Sequence, residues 1–304
     1  MPAVRIENIS KTYGDTVALK GISLEIEKGE LFGFIGPDGS GKTSLFRILV
    51  SLLLPDEGRA VMEGYDVVSE YRMIRRITGY MPERFSLYHD LSVEENLKFF
   101  AGIFKASVEE NYYLIEDIFK MLVPFKKRPA GKLSGGMKQK LALSCALIHK
   151  PKVLILDEPT TGVDAVSRKE FWEMLRKLRE EKITILVSTP YMDEAGMCDR
   201  VALVQKGEIL GANTPEGLKD EYSYDLFAVR SDDMFNLLPH LNEFEAARSA
   251  HRFGENIHLA LEPGKNETDE ITTYLRDKGH EKIQIKRIIP EVEDCFMELM
   301  HNED

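Results

Sequence analysis

Residues 36–43 read GPDGSGKT, which fits the pattern G-x-x-x-x-G-K-[ST]. Each residue type there has a physical use toward a nucleotide. Gly36, Gly39 and Gly41 let the backbone wrap closely around phosphates and aim its N–H groups inward. Lys42 can reach the outer phosphates, and Thr43 can place a hydroxyl on a Mg²⁺ ion. Pro37, Asp38, Ser40 and Ser44 complete the cradle. A second piece, VLILDEP at 153–159, is an apolar run ending in two acids. Asp157 can hold the Mg²⁺ shell, and Glu158 can polarise an attacking water. An apolar strand ending in acids is common by itself. Beside a Gly-rich phosphate loop it reads as the second half of a nucleoside triphosphate site.

A third string sits between them. Residues 133–140 read LSGGMKQK, followed by an apolar helical face of Met137, Leu141, Cys145 and Ile148. Ser134 with Gly135 and Gly136 brings a hydroxyl and bare backbone N–H groups to a helix start, a second anion site. A capped helix without a ligand would account for Leu133 to Met137 alone, but not for their position shortly before the acidic strand. The order GPDGSGKT, LSGGMKQK, LILDEP resembles the ATP-binding cassette family over residues 4 to about 220.

That resemblance implies ATP and Mg²⁺ as bound species and ATP hydrolysis coupled to transport. In the family, ATP is sandwiched between the phosphate loop of one cassette and the signature of another. Leu133, Ser134, Gly135, Gly136 and Met137 would then serve a partner's nucleotide. Tyr13 lies where the family places an aromatic on adenine, and such stacking is worth on the order of 1–3 kcal/mol per base. A core tyrosine at a strand end is the alternative. Asp164, in TTGVDA, matches the dimer-contact loop that usually reads SGLD. The partners implied are a second cassette and a transmembrane permease subunit, with this chain on the cytoplasmic face of the membrane.

Two positions depart from the family pattern. Glu83 stands where a glutamine is usual; it can still ligate Mg²⁺ or position water, but adds negative charge beside phosphates. Pro190, in STPYMDEAGMCDRVAL, stands at the switch position where the family has a histidine. Proline offers neither a side-chain donor nor a backbone N–H, so hydrolysis at this chain's own site is in question while nucleotide binding is not. A heterodimer with an intact partner cassette is the preferred expectation, and a slow homodimer the other. The segment RFSLYHDLSVEENL after Glu83 resembles the region that meets the membrane partner, with Phe85, Leu87 and Tyr88 as candidate contacts or, alternatively, ordinary core.

The ends of the chain and its bulk properties narrow the class. IIPEVEDCFMELM near the C-terminus, STPYMDEAGMCDRVAL and DAVSRKEFW resemble cassettes of the daunorubicin-resistance type of exporter. Export of a drug, lipid or polysaccharide-like substrate is therefore favoured over a nonhydrolytic regulatory cassette, a DNA-repair head or a translation factor. No second phosphate loop and no heptad insertion support the last two. The net charge of −11 over 304 residues argues against nucleic acid as a partner. Cys145, Cys198 and Cys295 are far apart and form no metal or disulfide pattern. No apolar run is long enough to span a bilayer, so another chain should supply the channel.

The elements that must position these groups follow from periodicity. VRIENISKTYG and ALKGISLEIEKGE alternate apolar and polar residues as strands do. LFGFIG, VLIL and ITILVST are continuous apolar runs, as buried parallel strands require. A mostly helical stretch should span 85–150, with Ser92 and Glu95 as a capping box. VALVQKGEILG reads as one strand. The expected fold class is α/β, a P-loop cassette with a mixed sheet core and helical signature subdomain over 1–220. A small α+β domain over 221–304 follows, with helix candidates DDMFNLLPHL, ETDEITTYLRDK and one from Pro290.

Overall fold

The computed structural model describes residues 1–264 and 268–301. The chain divides into two compact units, Met1–Thr214 and Pro215–Asp304. In the first, strands β1 (Val4–Tyr13), β2 (Thr16–Ile26) and β3 (Leu31–Ile35) lead into α1 (Lys42–Leu49). Then come β4 (Glu57–Met62), β5 (Tyr65–Asp66), α2 (Tyr71–Ile77) and β6 (Thr78–Met81). The helical stretch holds α3 (Val93–Phe104), α4 (Val108–Phe119) and α5 (Gly135–Leu147). The unit closes with β7 (Val153–Asp157), α6 (Ala165–Glu180), β8 (Thr184–Thr189), β9 (Arg200–Gln205) and β10 (Glu208–Asn213).

Two sheets organise this unit. One has four strands in the order β2-β1-β4-β5 and is antiparallel throughout. The other has six, in the order β10-β9-β3-β8-β7-β6. All its neighbours run parallel except β9 and β10. Every residue of β3, β7 and β8 is buried, which is why these segments are apolar without alternation. Their register sets Ile35 beside Thr189 and Asp157 beside Ser188. Three strand ends that are distant in sequence thus open at one edge of the sheet, where α/β folds bind ligands.

Three expectations needed correction. VALVQKGEILG is not one strand but the β9–β10 hairpin, turned at Lys206 and Gly207, both with positive φ. Such a two-residue turn matches the strand twist, and the apolar pattern runs through it unbroken. The helical stretch starts at Val93 rather than at 85; Ser92 caps it, and Glu95 closes the box by accepting from the Ser92 N–H at 2.8 Å. The boundary between units lies before Pro215, not at 220. Helix α7 (Pro215–Asp220) belongs to the second unit because its Leu218 carbonyl accepts from Cys295 Sγ and its Lys219 pairs with Glu291.

The second unit contains β11 (Asp225–Arg230), α8 (Met234–Asn242), β12 (Ala247–Phe253), β13 (Asn256–Leu261), α9 (Thr268–Asp277), β14 (Gln284–Ile288) and α10 (Val292–His301). Its antiparallel sheet has the order β12-β13-β11-β14. Leu237 and Leu241 of α8 and Ile271 and Leu275 of α9 bury one face, against Val229, Ile257 and Leu259. Asp294 of α10 meets His258 on the other face. Glu267, first residue of the α9 candidate, lies outside the described residues.

Candidate functional site

The loop after β3 is built by close backbone approach. A Cβ on Gly36 would stand 2.0 Å from the Val204 carbonyl oxygen. One on Gly41 would stand 2.4 Å from that of Ala18, and Gly41 caps α1 at φ 105°. Only glycine fits either place. Gly36 N–H donates to Thr189 O and Ser40 N–H to Pro37 O, both at 3.2 Å. Lys42 is buried at 3% exposure, and its ammonium donates to Gly36 O at 2.7 Å and Pro37 O at 2.8 Å. The ammonium is therefore threaded into the loop, where a phosphate would meet it. Burial pulls its pKa below the usual lysine value, while Glu158, Asp38, Asp157 and Glu83 act the other way.

Thr43 and Asp157 are 114 residues apart in sequence, yet Thr43 Oγ1 donates to Asp157 Oδ1 at 3.1 Å. Ser188 Oγ donates to the same oxygen at 2.7 Å. Asp157 Oδ2 is buried and bonds to no protein group. A hydroxyl and one unpartnered carboxylate oxygen suit Mg²⁺, which takes few protein ligands and keeps water and phosphate oxygens. The residues present fit the ion. Burial raises the Asp157 pKa above the ordinary value, against the lowering effect of Ser188 and Thr43.

Glu158 follows with φ 49°, a left-handed backbone that costs about 1–3 kcal/mol for a residue other than glycine. Ser188 holds it there: the Glu158 N–H meets Ser188 O at 3.1 Å and Oγ at 3.0 Å. Thr161 Oγ1 donates to Glu158 Oε2 at 3.2 Å, and Lys42 Nζ stands 3.9 Å from Oε1. Burial raises the Glu158 pKa; Lys42 opposes the shift, and Asp38 and Glu83 add to it. Glu83 lies in an exposed loop and reaches these groups through its field, with no hydrogen bond to them among the described residues. Tyr13, at the end of β1, is 45% exposed, and its hydroxyl is 3.3 Å from Ser44 Oγ on α1. Its ring is thus an open platform beside the loop rather than core.

The second constellation forms elsewhere in the unit. Ser134 caps α5, accepting from Met137 N–H at 3.4 Å, and remains exposed with Gly135, while Leu133 is buried. A Cβ on Gly136 would come within 2.8 Å of Ser167 Oγ. Asp164 caps α6 by accepting from Ser167 N–H at 3.0 Å. The string at 133–137 therefore joins the turn at 162–167, not the loop at 36–44. Pro190 directly follows β8 and carries no donor toward the site. Of the candidate contacts after Glu83, Leu87 is buried in a groove wall and Tyr88 is exposed.

Sequence reasoning missed Ser188, which contacts both acids, and the polar group around Glu194. Ser188 is one residue of an ordinary strand string, and only its pairing with Asp157 across β7 and β8 gives it a role.

The raised Asp157 pKa has a consequence for stability. The folded chain holds that proton more tightly than the unfolded chain does. The charge therefore works against the fold above the folded pKa, and the penalty disappears as pH falls through it. Asp157→Asn removes the charge and keeps an oxygen for Thr43 and Ser188. We expect a higher melting temperature for the ligand-free chain at pH 7, together with loss of any Mg²⁺-dependent gain in ATP binding. Calorimetry with and without Mg·ATP checks both; a lower melting temperature with intact Mg²⁺ dependence contradicts the assignment.

The family described as ABC transporter matches residues 19–161. The "Probable multidrug ABC transporter ATP-binding protein YbhF" of Escherichia coli (strain K12) is 38% identical over 290 residues, covering 94% of this chain and 50% of YbhF. The chain thus spans about half the length of that relative. "Nod factor export ATP-binding protein I" of Burkholderia lata is 33% identical over 309 residues, covering 100% of this chain and 99% of the relative. Among solved structures, cbiO1 from Clostridium perfringens, part of the ABC transporter complex cbiONQ, has a TM-score of 0.64 at 29% identity, over 72% of this chain and 91% of that one. The dimeric cassette MJ0796 bound to ADP and Pi has a TM-score of 0.62 at 29% identity, over 69% and 98%.

Proposed function

The chain belongs to the ATP-binding cassette transporter family, and on that premise we propose that it is the ATP-binding and ATP-hydrolysing subunit of an exporter. The observation that carries this reading is the bond between Thr43 and Asp157, with Lys42 threaded through the loop beside them. Tyr13 receives the adenine, and the loop at 36–44 receives the phosphates. Thr43 and Asp157 would hold a Mg²⁺ ion, which would offset charge on the phosphates when bound. Glu158 accepts the proton of the water whose oxygen attacks the terminal phosphorus, while the bond to the ADP oxygen breaks. Burial raises its pKa, so turnover falls as pH drops through that raised value.

Ser134, Gly135 and Gly136 complete a partner cassette's site, supported by the exposure of Ser134 and Gly135 and by the contacts of Gly135 and Gly136 with the turn at 162–167. The partner is a different cassette with a histidine at the switch position, because Pro190 supplies no donor here. The names of the relatives, multidrug and Nod factor export, support the reading that the substrate is a drug, lipid or polysaccharide-like compound. No helix among the described residues is long and apolar enough to cross a membrane. We place the chain on the cytoplasmic face against a separate permease.

A groove of about 380 Å³ supports that docking. Phe85, Leu87, Phe100, Ile103, Phe104 and His149 line it. His149 stacks on Phe104 at 3.8 Å, and burial pushes its pKa down to about 4, so it enters the groove wall uncharged. Tyr88 stands beside this groove, edge-on to Phe99 at 4.7 Å. A photo-crosslinker in place of Tyr88 is expected to capture a membrane-spanning chain. Recovery of a membrane-free complex with nucleic acid instead rejects the transporter reading.

A further inference from the structure

Glu194 takes no part in the chemistry above, yet its carboxylate is 2% exposed and receives three donors from three separate segments. Thr160 Oγ1 donates to Oε1 at 2.9 Å and is 3.2 Å from Oε2. Thr189 Oγ1 donates to Oε2 at 2.5 Å. Arg168 Nε donates to Oε1 at 3.2 Å. A buried carboxylate is unfavourable unless it is paired and hydrogen-bonded, and here every donor is in place.

Each donor comes from a functional segment. Thr160 sits on the turn that follows Glu158, and its neighbour Thr161 bonds the Glu158 carboxylate. Thr189 immediately precedes Pro190, and its carbonyl accepts from Gly36 of the phosphate loop. Arg168 stands on α6 next to Ser167, which lies against Gly136 of the string at 133–137. The same guanidinium donates to Asp193 and covers the Tyr191 ring at 4.2 Å. On the neighbouring α6 turn, Glu170 pairs with the largely buried Lys140 of α5 at 2.6 Å.

We propose that Glu194 is a positioning residue for hydrolysis at this chain's own site. It fastens the turn carrying Glu158 and the segment carrying Pro190 into one rigid body, and Arg168 ties that body to α6 and the signature. The need for it is local. Glu158 has a left-handed backbone that persists only where neighbours over-determine it. Pro190 leaves the switch position without a side-chain donor, and the Thr189–Glu194–Thr160 link adds to the Ser188–Glu158 bonds in fixing segment 189–191 relative to Glu158. This proposal rests on Glu158 being the proton acceptor.

The test uses the full chain by itself, where two copies complete each other's sites and every turnover occurs at this chain's own Glu158. Glu194→Gln keeps size and an acceptor but removes the charge that Arg168 pairs with; Thr160→Ala removes only the arm toward Glu158. Each is expected to lower kcat by about ten- to a hundredfold, with KM for ATP within about twofold, as misplacement of a catalytic group does. The double variant should be no slower than the slower single one, because both break one linkage. Parallel losses in kcat and ATP affinity, or additive losses, overturn the proposal. Hydrogen exchange gives a readout independent of turnover. Peptides over 157–164 and 188–195 should exchange faster together in both variants, with 36–44 unchanged. Faster exchange confined to 188–195 means that Glu194 only staples its own turn, and the proposal fails. A wild-type chain that does not turn over leaves the earlier reading of Glu158 as proton acceptor without support, and the exchange result alone then decides the linkage.

Discussion

Lys42→Ala is expected to weaken Mg·ATP binding by roughly ten- to a hundredfold and to reduce turnover at this chain's own loop to background. The range corresponds to about 1.5–3 kcal/mol for a hydrogen bond to a charged group. The physical reason is that one buried ammonium faces four acids, Asp38, Glu83, Asp157 and Glu158. Removing it leaves the phosphates among negative charges with only backbone N–H groups and the metal to hold them. The variant also leaves the Gly36 and Pro37 carbonyls without their donor. A thermal melt must therefore accompany the titration. A folded variant that binds ATP with wild-type affinity removes the loop at 36–44 from the nucleotide site.

Pro190→His is the second large effect. Removing one placed electrostatic donor costs about 10²–10³ in rate. Restoring one should raise the turnover of the isolated chain in the same range, provided Glu158 and the Thr189–Glu194 link keep their geometry. In the assembled transporter the two sites separate by substitution. Ser134→Arg places a bulky charge at the exposed cap of α5 and blocks the site this chain completes for its partner. Glu158→Gln disables only this chain's own site. In a heterodimer, Ser134→Arg abolishes ATP hydrolysis and Glu158→Gln leaves much of it. If Glu158→Gln alone stops hydrolysis, the asymmetric assembly is wrong and two equal slow sites operate. No gain from Pro190→His would show that the missing donor is not what limits this site.

Much of the site is legible in the chain because its parts are local. GPDGSGKT is one contiguous loop whose glycines answer to approaches that the backbone alone creates, at Gly36 and Gly41. The Ser92 capping box and the Ser134 cap each close within one helical turn. The apolar runs 31–35, 153–156 and 184–188 announce buried strands because parallel strands covered on both faces leave no polar side. Where the pattern stays apolar through a turn, as at Lys206–Gly207, periodicity fails, and a hairpin reads as one strand.

The amino-acid sequence by itself therefore determined the local patterns, the Gly-rich loop at 36–43, the acids at 157–158 and the capped string at 133–137, because type and short spacing suffice for each. Tertiary structure decided which of them meet. The register of β7 on β8 brings Ser188 to Asp157 and Glu158. The packing of α1 against β7 brings Thr43 to Asp157. The turn after Pro190 folds Glu194 back onto Thr160, Thr189 and Arg168. All of these contacts except Thr189–Glu194 join residues far apart along the chain, and nothing in their local sequence marks them, since a serine in a strand or a glutamate in a turn acquires its role only from what the sheet sets beside it.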